Sequence, residues 1–359
     1  MDVSLHKVLI MAGGTGGHVY PALTVADKLL AKSVVVEWLG TRRGIENRLV
    51  PQKQLLLHFV TISGLRGKGI VRWLIIPFQL LRAVVQAVKL IQQTKPDVVL
   101  GMGGFASGPG GLAAWLMRKP LVIHEQNAVA GTTNRWLNRF ATKSLQAFPN
   151  SLHGATTVGN PVRDEILDIK PPAERKRESS ARARLLVLGG SLGALKLNQI
   201  VPAALATISE NERPEIWHQT GEAHHQVTQE IYRDLNVHGR IDPYIDTMNQ
   251  AYEWADLIIC RSGALTVSEI SAVGVAAIFV PFPFAIDDHQ TKNAEYLVAA
   301  NAAKLIQETE LTKEVLAEVV TTLLSDSQKL LVMAENARAV SVRNAADIVA
   351  DTCLEYACG

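Results

Sequence analysis

Little in this sequence is arranged for a metal, a disulfide framework or a bilayer span. Its three cysteines, Cys260, Cys353 and Cys358, form an odd set with no Cys-x-x-Cys pair. Reduced thiols in a cytosolic protein, without a zinc site, are the expectation. No uninterrupted apolar run reaches the ~18 residues a spanning helix needs. A strand pattern begins almost at the first residue, so no signal peptide is expected. The net charge is only +2, which gives no electrostatic case for a nucleic-acid partner. No Asp-x-Asp stands at a strand end and no His/Cys set clusters, so a site without metal is expected.

What the chain has instead is glycine placed after short apolar runs. Its 359 residues, 48% hydrophobic and 19% charged, suit two globular domains of about 150–200 residues each. Val8 to Ala12 reads as a buried strand, Gly13-Gly14-Thr15-Gly16-Gly17-His18 as a turn, and Pro21 to Leu30 as a helix. Strand, glycine-rich turn and helix in that order make a phosphate-cradling element, because glycines admit close backbone approach and a helix N-terminus offers unpaired N–H groups. The third glycine falls one place early for the dinucleotide fingerprint. His18 is unusual in such a loop and is a candidate base or acceptor contact, the alternative being a helix-capping imidazole.

The pattern returns. Leu185 to Leu188 runs into Gly189-Gly190-Ser191-Leu192-Gly193, and a helical pattern follows. Two such openings predict two Rossmann-like domains. Further strands are expected at 34–40, 97–100, 121–123, 216–219, 257–260 and 276–281. The strand at 34–40 ends in Gly40-Thr41-Arg42-Arg43, without the terminal acid of a nicotinamide-binding domain. A loop dense in glycine follows Leu100. His124-Glu125-Gln126-Asn127 stands at the end of the next strand, where open α/β sheets place ligand contacts. Arg261 to Glu269 forms a third phosphate-type loop. There the N–H groups of Ala264 and Leu265 are suited to a diphosphate leaving group, and Glu269 to vicinal ribose hydroxyls.

Two segments have another character. Ile70 to Arg82 is apolar with Trp73 and Phe78, and it is flanked by Arg66, Lys68, Arg72, Arg82 and Lys89. It reads as an interfacial membrane contact or, alternatively, as a buried helix. Pro171 to Ser180 is charged and led by prolines, as a linker or mobile loop would be.

MAGGTGGHVYPAL, SGLRGKG, KPDVVLGMGGFASGPGG, HEQNAVAGTTNRWL, VGNPVR, GGSLGA, CRSGALTVSE and DDHQTKNA, in this order, resemble the MurG-type N-acetylglucosaminyltransferases of peptidoglycan synthesis. The resemblance spans nearly the whole chain. It implies an α/β fold of two Rossmann-like domains facing across a cleft, the GT-B architecture. It also implies inverting transfer of N-acetylglucosamine from UDP-N-acetylglucosamine to lipid I, giving lipid II. By motif, the sugar-nucleotide contacts would be Thr15, Gly16, Gly17, Asn127 and Arg163 in the first half. In the second half they would be Ser191, Ile245 at the uracil, Ala264, Leu265, Thr266, Val267, Ser268, Glu269 and Gln290. His18 is the candidate base and Glu125 its rival, with no metal and no cofactor beyond the donor. The expected partners are UDP-N-acetylglucosamine, lipid I, an anionic membrane surface and other cell-wall synthesis proteins, at the cytoplasmic face of the inner membrane. The expected domains are 1–163 (acceptor and membrane), a charged linker 164–183, 184–340 (UDP-sugar) and a helix 341–359 packing back on the first. A UDP-sugar 2-epimerase, or another nucleotide enzyme with two such domains, is the competing reading.

Overall fold

The structure, a computed structural model, describes residues 6–62, 70–175, 182–190 and 193–358, with 70–76 and 286 as backbone only. It divides into two compact units, Met1–Arg163 with Val342–Gly359, and Asp164–Ser341.

In the first unit β1 (Lys7–Met11), β2 (Val35–Gly40), β3 (Leu56–Phe59), β4 (Val98–Gly101), β5 (Leu121–Glu125), β6 (Lys143–Gln146) and β7 (Thr156–Thr157) form one parallel sheet. Its order is β3-β2-β1-β4-β5-β6-β7. The central strand β1 is apolar at nearly every position, because both faces are covered. Val8 and Ile10 pack on the side of helices Gly16–Ala31 and Ala345–Cys358. Leu9 and Met11 point the other way, into the layer that includes Ala87, Ile91, Ala113 and Ala114 from helices Ile70–Thr94 and Ser107–Leu116. The last helix of the chain thus belongs to the first unit, where Val349, Ala350 and Cys353 are core.

The second unit repeats the plan. β8 (Arg184–Leu188), β9 (Glu215–Gln219), β10 (Arg240–Asp242), β11 (Leu257–Cys260), β12 (Ala276–Phe279) and β13 (Ala303–Leu305) are parallel, in the order β10-β9-β8-β11-β12-β13. Each sheet is built outward from its first strand and then restarts on that strand's other side, β4 beside β1 and β11 beside β8. Such switch points leave open space at the carboxyl ends of the two adjacent strands, which is where ligands bind in this class. The described glycine loops after β1, β4 and β11 begin at those ends. The α/β class with two Rossmann-like domains is what the structure shows.

Part of the expected linker is a correction. Residues 164–175 carry helix Asp164–Leu167 and the turn Pro172–Glu174, and they pack onto the second unit. Pro172 is buried, and the Arg175 guanidinium donates to the carbonyls of Val273 and Gly274. Charge and proline suggested solvent exposure, but here the cation has backbone acceptors to satisfy it. The remainder, 176–181, lies outside the described residues.

Candidate functional site

The opening loop is held from below by a residue the sequence did not advertise. Glu46 is fully buried; its Oε2 accepts from Gly14 N–H at 3.0 Å, and its Oε1 accepts from the N–H and hydroxyl of Thr41 at 2.9 and 2.8 Å. A buried carboxylate needs such donors, and these ones tie the loop after β1 to the loop after β2. Thr15 takes the N-cap position with extended backbone, and its carbonyl accepts from His18 and Val19 N–H. Gly16 and Gly17 form the first turn of the helix, with no side chain to cover their N–H groups. Arg163 lies over the ring of Tyr20, 5.7 Å from its centroid.

The HEQN segment ends β5 and is mostly inside the protein. Glu125 is 1% exposed. Its Oε1 accepts from the N–H and side-chain amide of Asn127, at 2.9 and 3.3 Å. Its Oε2 accepts from Gly131 N–H and Asn134 Nδ2, at 3.1 and 2.9 Å. The carboxylate is therefore the brace of its own loop, with its lone pairs already directed at protein donors. His124 is fully buried, and desolvation pushes its imidazole down to about 4 despite a backbone hydrogen bond and the nearby Glu125 charge. It is neutral at physiological pH. Gln126, also fully buried, places its Oε1 2.8 Å from Nδ1 of His18. His18 is thus anchored to HEQN and is not a helix cap, and Gln126 is its partner. Sequence reading placed Gln126 among the polar residues at this strand end but missed its pairing with His18, because an amide flanked by charged and ring residues carries no signal of its partner.

Two glycines after β4 explain how closely these loops pack. At Gly103 (φ +89) a Cβ would stand 2.8 Å from His18 Nδ1, and at Gly104 (φ +85) it would stand 2.2 Å from the Gly13 carbonyl oxygen. Both need glycine for backbone angle and for space.

In the second unit the helix Ala264–Val273 begins at Gly263, whose carbonyl accepts from Val267 N–H at 3.0 Å. The N–H groups of Ala264, Leu265 and Thr266 precede the first intrahelical bond, and N–H groups in that position are the kind that can hold an anion. The other end of this helix is also electrostatically matched. Arg338 donates to Ala272 and Val273 carbonyls at 3.2 and 3.0 Å, and Arg175 donates to Val273 and Gly274. Cations at the C-terminus complement the helix dipole.

Val267 is core, and the Ser268 hydroxyl is turned back onto Ala264 O at 2.9 Å. Glu269 is 5% exposed and accepts from the Tyr252 phenol at 2.9 Å. Ile245 is buried in the loop leading from β10 to helix Met248–Trp254, which carries Tyr252. Gln290 Oε1 accepts from Phe282 N–H at 2.9 Å, and buried Asn293 donates to Ser262 O at 3.1 Å, joining the loops after β11 and β12. Ser191 lies outside the described residues, as do Arg66, Lys68 and the side chains of Arg72, Trp73 and Ile75.

The structure thus gathers Thr15, Gly16, Gly17, His18, Glu125 and Asn127 at one switch point, and Ala264 to Glu269 with Gln290 at the other. Among the described residues, no group of three or more His, Cys, Asp or Glu is placed to hold a metal ion. None of the described helices is long and apolar enough to cross a membrane.

Comparison with known proteins agrees with this division. Residues 8–146 match the glycosyltransferase family 28 N-terminal domain, and 184–349 match the family's C-terminal domain. A protein of Cellvibrio japonicus named UDP-N-acetylglucosamine–N-acetylmuramyl-(pentapeptide) pyrophosphoryl-undecaprenol N-acetylglucosamine transferase is 51% identical over 359 residues, covering 98% of this chain and 99% of that one. The crystal structure of Acinetobacter baumannii MurG superposes with a TM-score of 0.86 at 42% identity, over 98% of this chain and 99% of that chain. A UDP-GlcNAc 2-epimerase of Neisseria meningitidis shares the fold alone, at TM-score 0.68 and 14% identity, over 97% of this chain and 100% of that chain. With both halves matched in order and a relative half identical along the whole length, this chain belongs to glycosyltransferase family 28.

Proposed function

We propose that the protein transfers N-acetylglucosamine, with inversion, from UDP-N-acetylglucosamine to the 4-hydroxyl of N-acetylmuramoyl-pentapeptide-pyrophosphoryl-undecaprenol (lipid I), forming lipid II. The supporting observation is 51% identity to a transferase of that name over 359 residues, covering 98% of this chain. The epimerase reading is not favoured, since its representative shares the fold at 14% identity.

The chemistry follows from the loops. His18 takes the proton from the acceptor hydroxyl as its oxygen attacks the anomeric carbon. The bond from that carbon to the β-phosphate oxygen breaks, and UDP leaves with the electron pair. The N–H groups of Ala264, Leu265 and Thr266 stabilise the charge that grows on the diphosphate. The Glu269 carboxylate accepts from the ribose hydroxyls, and the backbone at Ile245 meets the uracil. The proton is assigned to His18 and not to Glu125 because Glu125 is 1% exposed with both oxygens occupied.

Lipid I is held at a membrane by its polyprenyl chain, and the first unit has a surface suited to that. On helix Ile70–Thr94, Phe78 is 73% exposed and Leu81 62% exposed, with Val85 and the cations Arg82 and Lys89 also outward. The neighbouring helix Ser107–Leu116 exposes Trp115 and Leu116, and Trp115 packs against Phe140 with ring centroids 5.1 Å apart and planes tilted by 53°. Apolar side chains among cations favour reversible peripheral binding to an anionic leaflet.

The test is to supply purified protein with UDP-N-acetylglucosamine alone and then with a lipid I analogue. Release of UDP only with the acceptor supports transfer. Conversion of the donor to a second UDP-sugar without acceptor overturns it.

A further inference from the structure

Behind His18 runs a chain of hydrogen bonds whose direction is fixed at both ends. At the far end, His124 Nε2 lies 2.9 Å from the carbonyl oxygen of Gly159. A carbonyl only accepts, so Nε2 carries the proton. His124 is neutral, held so by burial, and its Nδ1 is therefore the unprotonated nitrogen. That nitrogen sits 3.1 Å from Gln126 Nε2, which also donates to His124 O at 3.1 Å. Two acceptors on one side of the Gln126 amide set which of its atoms is nitrogen. The oxygen must then face His18, at 2.8 Å from Nδ1. An amide oxygen only accepts, so His18 Nδ1 bears a proton. In the neutral imidazole the lone pair is left on Nε2, for which the described residues supply no hydrogen-bond partner.

We infer that Gln126 and His124 are positioning residues that hold His18 as the Nδ1–H tautomer, with Nε2 as its basic nitrogen. This rests on the reading of His18 as the base that receives the acceptor proton. An isolated imidazole interconverts between tautomers, and the wrong one presents an N–H where a base is needed. The relay removes that form using neutral groups alone, so orientation comes without a second charge beside the ring. Gly103 completes the fit, since any Cβ there would press on Nδ1 and Cε1 of His18 at 2.8 and 2.9 Å.

The experiment uses the full-length protein with 15N-labelled histidine. Nitrogen chemical shifts separate protonated from unprotonated ring nitrogens, and His18→Ala assigns the His18 signals. At neutral pH the expected pattern is Nδ1 protonated and Nε2 unprotonated for His18, with the reverse for His124. A His18 found mainly protonated at Nε2 overturns the inference, and this measurement needs no destabilising variant. Gln126→Leu is expected to abolish the His18 preference and to lower kcat by about tenfold or more while KM for UDP-N-acetylglucosamine stays within about twofold. An unchanged kcat in a variant whose tautomer preference is lost also overturns it. Normal turnover in His18→Ala would instead remove the base assignment, and the tautomer pattern would still be read independently.

Discussion

The Tyr252 phenol and the Glu269 carboxylate meet at 2.9 Å in a site where both are buried. The bond pins one carboxylate oxygen, so the orientation of the other is set before any nucleotide arrives. Glu269→Ala is expected to weaken UDP binding by roughly 1–3 kcal/mol, the scale of a lost charge-assisted hydrogen bond. Tyr252→Phe is expected to cost less, because it frees the carboxylate without deleting it. Titration calorimetry with UDP reads both, and unchanged affinity in Glu269→Ala removes that residue from the site.

His18→Ala is expected to lower turnover by ~10²-fold or more, the usual scale of general acid–base help. UDP affinity should stay near normal, because in the proposed mechanism the diphosphate is held by the second unit. Steady-state kinetics with a soluble acceptor, set beside calorimetry, separates the two effects. Normal turnover would make His18 a structural residue.

Charge on the departing diphosphate is met in this reading by the N-terminus of helix Ala264–Val273, whose opposite end is neutralised by Arg338 and Arg175. Activity is therefore expected to survive EDTA to a substantial degree. Complete loss on chelation, restored by magnesium or manganese, would sink this account.

Acid should destabilise the fold well before its carboxylates protonate. His124 and His218 are buried, and desolvation holds them near about 4 and about 3. An unfolded histidine takes up its proton below about 6.5. Between those limits the unfolded chain binds more protons, so stability falls as pH drops. Each group then contributes a loss of about 1.4 kcal/mol per pH unit. From pH 7 to 5.5 the two together should cost about 2–3 kcal/mol. Urea melts at the two pH values measure this, and His218→Gln should reduce the pH-dependent loss to about half. An undiminished loss in that variant would place its origin elsewhere.

Replacing Phe78 and Leu81 by Ser should reduce sedimentation with anionic vesicles while turnover on a short-chain soluble acceptor stays near wild type. Both side chains are outward on their helix, so the fold should tolerate the change. Vesicle binding that persists unaltered would move the contact to another face.

How much of this could be read beforehand varied with the kind of signal. Fully buried central strands such as Leu257–Cys260 were legible as apolar runs, and the helix Gly16–Ala31 was legible from its spacing. Strands at sheet margins were not. Lys143–Gln146 is half-buried, Leu56–Phe59 is largely outside the core, and Ala303–Leu305 is only three residues long. Their identity comes from the neighbour that recruits them, not from local pattern. The same holds inside the site. Glycine loops announce themselves, while Glu46, Gln126 and Tyr252 act through partners 32, 108 and 17 positions away. No window along the chain contains both ends of those bonds.

The helix Ala345–Cys358 has a consequence for synthesis. It places Val349, Ala350 and Cys353 in the core of a unit whose strands all lie before residue 158. On the ribosome the first sheet emerges early but waits, with one side of its helical layer uncovered, until residues 345–358 have been translated. The second unit is contiguous, from Asp164 to Ser341, and can close while the first is still waiting. The unit whose strands are translated first is therefore completed after the second, and a truncation before Ala345 strips apolar cover from the first unit and not from the second.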